Sequence, residues 1–322
     1  MSEKEKAEKA AKEAIRALVT RKLSPEKEKK EERKKSSERS EKEEKQEKKN
    51  GKEKEPAEEE PEEPRTSIIN LKTGRRLLLC TKEQEDMSLL ELTVFNRPTG
   101  WPTLFQNHKQ EIGQIDRILR KPGEWGYYPA KVDVFNAYHY TGLDEATVVI
   151  LGQDPYPTPG HAMGMSFSLR KGFGIARSLV NIFWEIRSDY PETPKQKDGD
   201  LTRWTGKGGQ GVMLLNAGLT FDPDLPEDEK KRKESKSISV WKPLIIPTLA
   251  ALSEKGGVVF MLWGGVAQGF SKYIKGSGNL ILEASHPSPF SYDKGEKPFK
   301  GCGHFRQAND FLESKGKRPI VW

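Results

Sequence analysis

Four short apolar runs constrain this chain more than any other feature: Thr147–Leu151 (TVVIL), Val212–Leu215 (VMLL), Val258–Leu262 (VVFML) and Leu280–Leu282 (LIL). Runs of this length without polar alternation suit parallel strands covered on both faces. Helical spacing lies between and around them. Leu179, Ile182, Phe183 and Ile186 recur on one face, with Ser178 placed to cap their helix, and Phe305, Ala308 and Leu312 end near Gly316. A further helix is predicted over Leu104–Leu119, with Phe105, Ile112, Ile115 and Leu119 near one face. This alternation predicts an α/β fold: a single three-layer domain with a central, mostly parallel four-stranded sheet flanked by helices.

Each run is followed by a polar, turn-forming segment. GQDPYP (152–157) follows the first and Asn216 in NAGLT the second; WGG (263–265) follows the third and EASHPSP (283–289) the fourth. Open α/β sheets bind ligands in the crevice beyond the carboxyl ends of their strands, so these four segments should meet in one cleft.

Charge separates the chain into regions. Residues 1–66 hold 21 basic and 20 acidic side chains, while the remaining 256 residues carry 34 and 28, so nearly all of the +7 sits on the part able to fold. That excess favours an anionic partner. The segment 1–66 is too poor in apolar surface to offset its backbone entropy and reads as a disordered Lys/Glu-rich tail. Within it Ala11, Ile15, Leu18 and Val19 fall near helical spacing, a pattern for a transient solvated helix or a partner-binding one. Residues 67–95 read as a transition, and 96–322 as the folded domain.

Two cysteines, Cys80 and Cys302, are too few for a disulfide scaffold, a four-cysteine zinc site or an iron–sulfur cluster, and the five histidines show no metal-ligand spacing. The expectation is a protein without cofactor or metal, in a reducing intracellular compartment. No run is long enough to span a bilayer, and the N-terminus lacks the apolar core of a secretory signal.

Five segments, in order, resemble family-1 uracil-DNA glycosylases: GQDPY (152–156), GMSFS (164–168), LLNAGLT (214–220), MLWGG (261–265) and HPSP (286–289), with a similar closing GKRPIVW. The resemblance covers roughly 96–322. It implies an enzyme that flips uracil out of DNA and hydrolyses its N-glycosidic bond, leaving an abasic site and initiating base-excision repair. Breaking that bond leaves a cationic sugar and an anionic base, so the chemistry needs a carboxylate, a hydrogen-bond donor and a base-reading pocket. By the resemblance Asp154 faces the sugar and orients water, while His286 donates to uracil O2, helped by backbone N–H groups around Gln153. Phe167 is the stacking platform, Asn216 reads N3–H and O4, and Tyr156 fills the space of a thymine methyl. Ser178, Gly265 and Ser288 would pin flanking phosphates, and Phe290 stands where the family carries a Leu wedge. The partner implied is uracil-containing DNA, single- or double-stranded, met by a monomer that the tail could link to a repair or replication protein. The site of action would be the nucleus in a eukaryote and otherwise the cytoplasm.

The departures lie outside the pocket. Pro157 replaces a common His, GFGIAR (172–177) replaces a Pro-rich loop, Gly265 replaces a Ser, Lys236 a His, and Lys294 stands near a usual Arg. The segment between Thr220 and Trp241 is longer than usual and carries KKRK at 230–233. The competing readings are a non-catalytic DNA-binding subunit that keeps the fold, a mismatch-type glycosylase, and a phosphate-ester hydrolase; the last lacks a Gly-rich phosphate loop.

Overall fold

In the computed structural model the chain divides into two units, Met1–Pro61 and Glu62–Trp322. Residues 65–69 and 76–81 are described as backbone, and 86–120, 125–226, 236–276 and 278–322 in full. The expected tail up to residue 64, with its short helical pattern, and the KKRK cluster lie outside the described residues.

Strands β1 (Arg65–Ile69) and β2 (Arg76–Thr81) pair antiparallel, Arg65 opposite Thr81. Helix α1 (Leu89–Phe95) follows, opened by a capping box in which Ser88 Oγ accepts from Glu91 N at 3.1 Å while the Glu91 carboxylate accepts from Ser88 N at 2.7 Å.

The central sheet comprises β3 (Val148–Gly152), β4 (Val212–Asn216), β5 (Val259–Trp263) and β6 (Leu280–Ala284), all parallel, in the order β4-β3-β5-β6. Every residue of β3, β4 and β5 is buried, which is why their sequences show no alternation. β6 lies at the edge and does alternate, with Leu282 and Ala284 inward and Ile281 outward.

Helices cover both faces. On one, Val149, Leu151, Met213, Leu215, Phe260 and Leu262 pack with α1, α2 (Pro102–Asn107), α3 (Lys109–Leu119), α4 (Asn136–Tyr140) and α6 (Lys236–Lys255). On the other, Ile150, Leu214, Met261 and Leu282 pack with α5 (Arg177–Asp189) and α8 (His304–Ser314). The expected three-layer α/β domain is what the chain forms.

Three local expectations are corrected. The helix over Leu104–Leu119 is two helices broken at His108, whose φ of −110° leaves the helical region and whose Nδ1 hydrogen bonds with Leu104 O at 2.9 Å. Ser178 is not the N-cap of α5: the cap is Ala176, with no side-chain capping bond, so Ser178 sits inside the first turn. The end of the supposed long loop before Trp241 is already helical, because α6 starts at Lys236 and runs through Pro243 and Pro247. Proline removes one backbone bond each time, yet Trp241, Leu244, Ile245, Leu249 and Leu252 are fully buried and hold the helix on the sheet. No helix among the described residues is long and apolar enough to cross a membrane.

Candidate active site

β3 and β4 end side by side, Gly152 in register with Asn216. A hollow opens beyond them, lined by Gln153, Asp154, Tyr156, Phe167, Ser178, Asn216 and His286. Seven residues expected from four separate segments and one helix start therefore share one cavity. Gly265, Ser288 and Phe290 are not among its lining residues; Gly265 and Phe290 are exposed beyond it, Phe290 at 80%.

Asp154 sits in the turn after β3. Gln153 Nε2 donates to its Oδ2 at 3.0 Å. Gly218 makes room for the other oxygen: a Cβ there would lie 2.6 Å from Asp154 Oδ1 and 2.5 Å from Ser237 Oγ. The same carboxylate also lines a second hollow with Tyr127, Phe221 and Lys236, the lysine that stands where a His is common.

His286 faces the cavity from the loop after β6. Its Nδ1 accepts from the Ser288 backbone N–H at 3.0 Å. Burial holds the ring's pKa down to about 4, so the imidazole is neutral near pH 7. With Nδ1 engaged as acceptor, Nε2 carries the proton and is the available donor. Gly264, at φ 88°, lets β5 pass close behind it; a Cβ there would meet His286 Cβ at 3.0 Å. The loop itself is bolted down. Ser285 Oγ donates to Ser291 O at 2.6 Å and accepts from Phe299 N, while Ser288 Oγ and Ser291 Oγ are 2.9 Å apart.

Phe167 has φ 58°, the one non-glycine residue with positive φ among the described residues. A bulky residue held there costs about 1–3 kcal/mol, and such strain gathers at ligand sites. Tyr156 Oη donates to Phe167 O at 2.8 Å, fixing the strained peptide to the wall residue beside it; burial raises the Tyr156 hydroxyl's pKa, keeping it a donor. The Phe167 ring lies 5.7 Å from Trp263 and 5.9 Å from His286. Trp263 Nε1 in turn donates to His304 Nδ1 at 3.0 Å.

Asn216 is 5% exposed, and its side chain makes no protein hydrogen bond among the described residues. A nearly buried amide is costly to leave unpaired, so one aimed into a hollow fits a polar ligand. It leans over Gly152, where a Cβ would collide with Asn216 Oδ1.

Sequence reasoning missed this second layer. Ser166 ties the Phe167 segment to β4 and β3, donating from N to Leu214 O (3.1 Å) and from Oγ to Ile150 O (3.0 Å). His161 packs between Tyr156 (6.3 Å) and Phe173 (5.1 Å), anchoring the GFGIAR loop to the pocket wall. Pro157 is exposed and lines neither hollow.

Known proteins bear on this geometry. Residues 139–313 match the uracil DNA glycosylase superfamily model. The chain is similar to a uracil-DNA glycosylase of Photorhabdus laumondii, 38% identical over 231 residues that make up 70% of this chain and 96% of that one. It is also similar to one of Tolumonas auensis, 41% identical over 218 residues, 67% and 92% of the two chains. Its fold resembles that of the mimivirus uracil-DNA glycosylase crystal structure, with TM-score 0.57 and 22% identity over 74% of this chain and 90% of that one. The chain belongs to the uracil-DNA glycosylase superfamily.

Proposed function

We propose that this chain is a uracil-DNA glycosylase that hydrolyses the N-glycosidic bond of a uracil swung out of DNA. The observation that carries the reading is the neutral His286, its Nδ1 held by Ser288 N and its ring half-buried, sharing with Asp154 a hollow walled by Phe167 and Asn216.

The chemistry follows from those groups. As the bond breaks, electrons move into the base and negative charge grows on O2. His286 Nε2–H donates there, a preorganised bond worth about 10²–10³ in rate. Asp154 faces the sugar, stabilises its positive charge and orients the water that attacks C1′. The water's oxygen joins the sugar and its proton leaves to solvent or base. The products are free uracil and an abasic sugar. No step uses a metal, and no lyase step follows.

Base choice rests on two contrasts. Asn216 accepts from N3–H and donates to O4. Cytosine presents the opposite polarity, and a site built on hydrogen bonds rejects such a mismatch by roughly 10⁴–10⁵. Tyr156, pinned through its hydroxyl, closes the space where thymine carries a methyl group. A pocket contact alone discriminates a methyl by only about 1–3 kcal/mol; a wall that cannot retreat exceeds that.

Ser178, Gly265 and Ser288 would hold flanking phosphates, and Phe290 would fill the vacated stack. The enzyme acts as a monomer on single- or double-stranded DNA in the cytoplasm, or in the nucleus of a eukaryotic cell. The 1–66 segment takes no part in the chemistry and serves a repair or replication partner.

Uracil release from single- and double-stranded uracil-containing DNA in EDTA tests the reading; no free uracil would end it. Tyr156→Ala should admit thymine and Asn216→Asp cytosine. If neither change alters base choice, the selectivity groups are misassigned.

A further inference from the structure

The outer face of α5 sets an exposed tryptophan between two exposed arginines. Leu179, Ile182, Phe183 and Ile186 turn inward. Arg177, Val180, Trp184 and Arg187 are exposed on the opposite side, Trp184 at 68%. It is the one exposed tryptophan of the chain's seven: five are buried and Trp125 is half-buried. No carboxylate of the helix shares that face. Glu185 is turned inward by Tyr292 Oη at 2.7 Å and Gly301 N at 2.8 Å, and Asp189 is buried, accepting from Arg306 N at 3.1 Å.

The face is continuous with the site. Ser178, one residue past Arg177, lines the base pocket. Asn181 Nδ2 donates to Pro287 O at 2.8 Å, fastening the helix to the loop that carries His286, Ser288 and Phe290. At 100° per residue Trp184 lies about 60° round the helix from Asn181, and six residues past Ser178 it lies about 9 Å further along the axis. A strand leaving the pocket over this edge meets arginine, then tryptophan, then arginine.

We propose that this face is a second nucleic-acid contact, a seat for an unpaired DNA strand flanking the target, with a base stacked on Trp184 and phosphates met by Arg177 and Arg187. Aromatic platforms between cationic groups bind single strands without regard to sequence, because every base offers a π-face. In a duplex those faces are already stacked, so the contact favours single strands. The proposal rests on the reading of the chain as a uracil-DNA glycosylase.

The test uses the full chain. Acrylamide quenching of tryptophan fluorescence should fall when uracil-free oligo-dT binds, fall less with a duplex of equal length, and show no such protection in Trp184→Ala. Uracil release is then followed on two single strands, one reaching a few nucleotides past the uracil and one about twenty. Trp184→Ala should raise KM about five- to tenfold on the long strand only, with kcat unchanged, and Trp184→Tyr should restore most of the loss. Arg177→Gln with Arg187→Gln should lower the salt slope of log KM by about 1.4 on the long strand. Equal KM changes on both lengths, or a Trp184 still open to acrylamide with oligo-dT bound, would overturn the proposal. So would a dimer in sedimentation that Trp184→Ala dissolves, which would make the face a contact between copies. Failure of the unmodified chain to release uracil from either strand would instead sink the glycosylase reading.

Discussion

Behind Asn216 and Asp154 an added Cβ would come within 2.3 Å and 2.6 Å of their side-chain oxygens, and behind His286 within 3.0 Å of its Cβ, whereas at Gly265 on the rim a Cβ meets nothing within 4 Å. The pocket wall is strained and hydrogen-bonded at Phe167; the rim presents Phe290 at 80% exposure. The difference follows from the task. Reading one base against its near relatives needs groups held to fractions of an ångström. Gripping a phosphate backbone needs charge and donors but tolerates many geometries. Pro157, GFGIAR and Gly265, read from the sequence as departures from the family pattern, do not line the base hollow.

The largest expected effect is at the two positions where β3 delivers its chemistry. Asp154→Asn keeps shape and removes charge; kcat should fall about 10²–10⁴-fold with binding of uracil-containing DNA retained. Gly152→Ala adds one carbon that meets Asn216 Oδ1 and lies 2.8 Å from Ser166 Cβ. Overpacking of this kind costs about 1–3 kcal/mol, so thermal melting should show a folded but weakened protein whose kcat/KM for uracil drops sharply. A Gly152→Ala enzyme with undiminished kcat/KM would break the comparison at its pocket end.

Acidity should separate the two regions next. Burial holds His286, His304 and His139 near pKa 4, with Lys207 adding to the effect at His139. An unfolded histidine titrates near 6.5, so the unfolded chain takes up protons first. The stability these rings contribute is complete above pH 6.5 and is lost as pH falls toward 4. Urea midpoints should decline across that window. His286 stays neutral over most of it, so base release from the folded enzyme should hold until near pH 4 and then fall, while binding of uracil-free duplex follows no such step. A kcat profile breaking near 6.5 would show that the ring is not shielded as its surroundings indicate.

On the rim, Phe290→Ala should cost about tenfold in kcat/KM on duplex DNA and little on single strands. A single strand has no stack to refill, whereas a duplex must give up a few kcal/mol to release its base. Stability should move by less than about 0.5 kcal/mol, as for other exposed positions. Equal losses on both substrates would assign Phe290 to the pocket.

How much of this was legible depends on the range of the interaction. Strands β3, β4 and β5 declared themselves because burial on both faces leaves an unbroken apolar run. The cleft followed because the segments carrying Asp154, Asn216 and His286 each come at or just after a strand end, whereas Phe167 follows no strand and was placed only by the family resemblance. Helix α6 was hidden by Pro243 and Pro247, local breakers outweighed by a buried face that only tertiary packing creates. Ser178 looked like a cap because serine caps helices well, but the helix begins one residue earlier. The supporting layer was illegible for a deeper reason. That Gly152 must lack a side chain is decided by Asn216, sixty-four positions away, and becomes visible only with the register between β3 and β4.

The smallest expected effect belongs to Gly265→Ser. Gly265 opens the short helix α7 (Gly265–Gln268), and a side chain added there enters open space. Its backbone φ is not in the left-handed region, so serine needs no strained conformation. The melting temperature should not change. The new hydroxyl offers one more donor to a flanking phosphate, but at an exposed position it competes with water, and the net worth of such a bond is about 0.5–1.5 kcal/mol at most. KM for duplex substrate should therefore fall by no more than about threefold to tenfold, with kcat and base selectivity untouched. A Gly265→Ser enzyme that lost base selectivity would show that the rim is as narrowly specified as the pocket, and the contrast between the two regions would fail at the position where it predicts least.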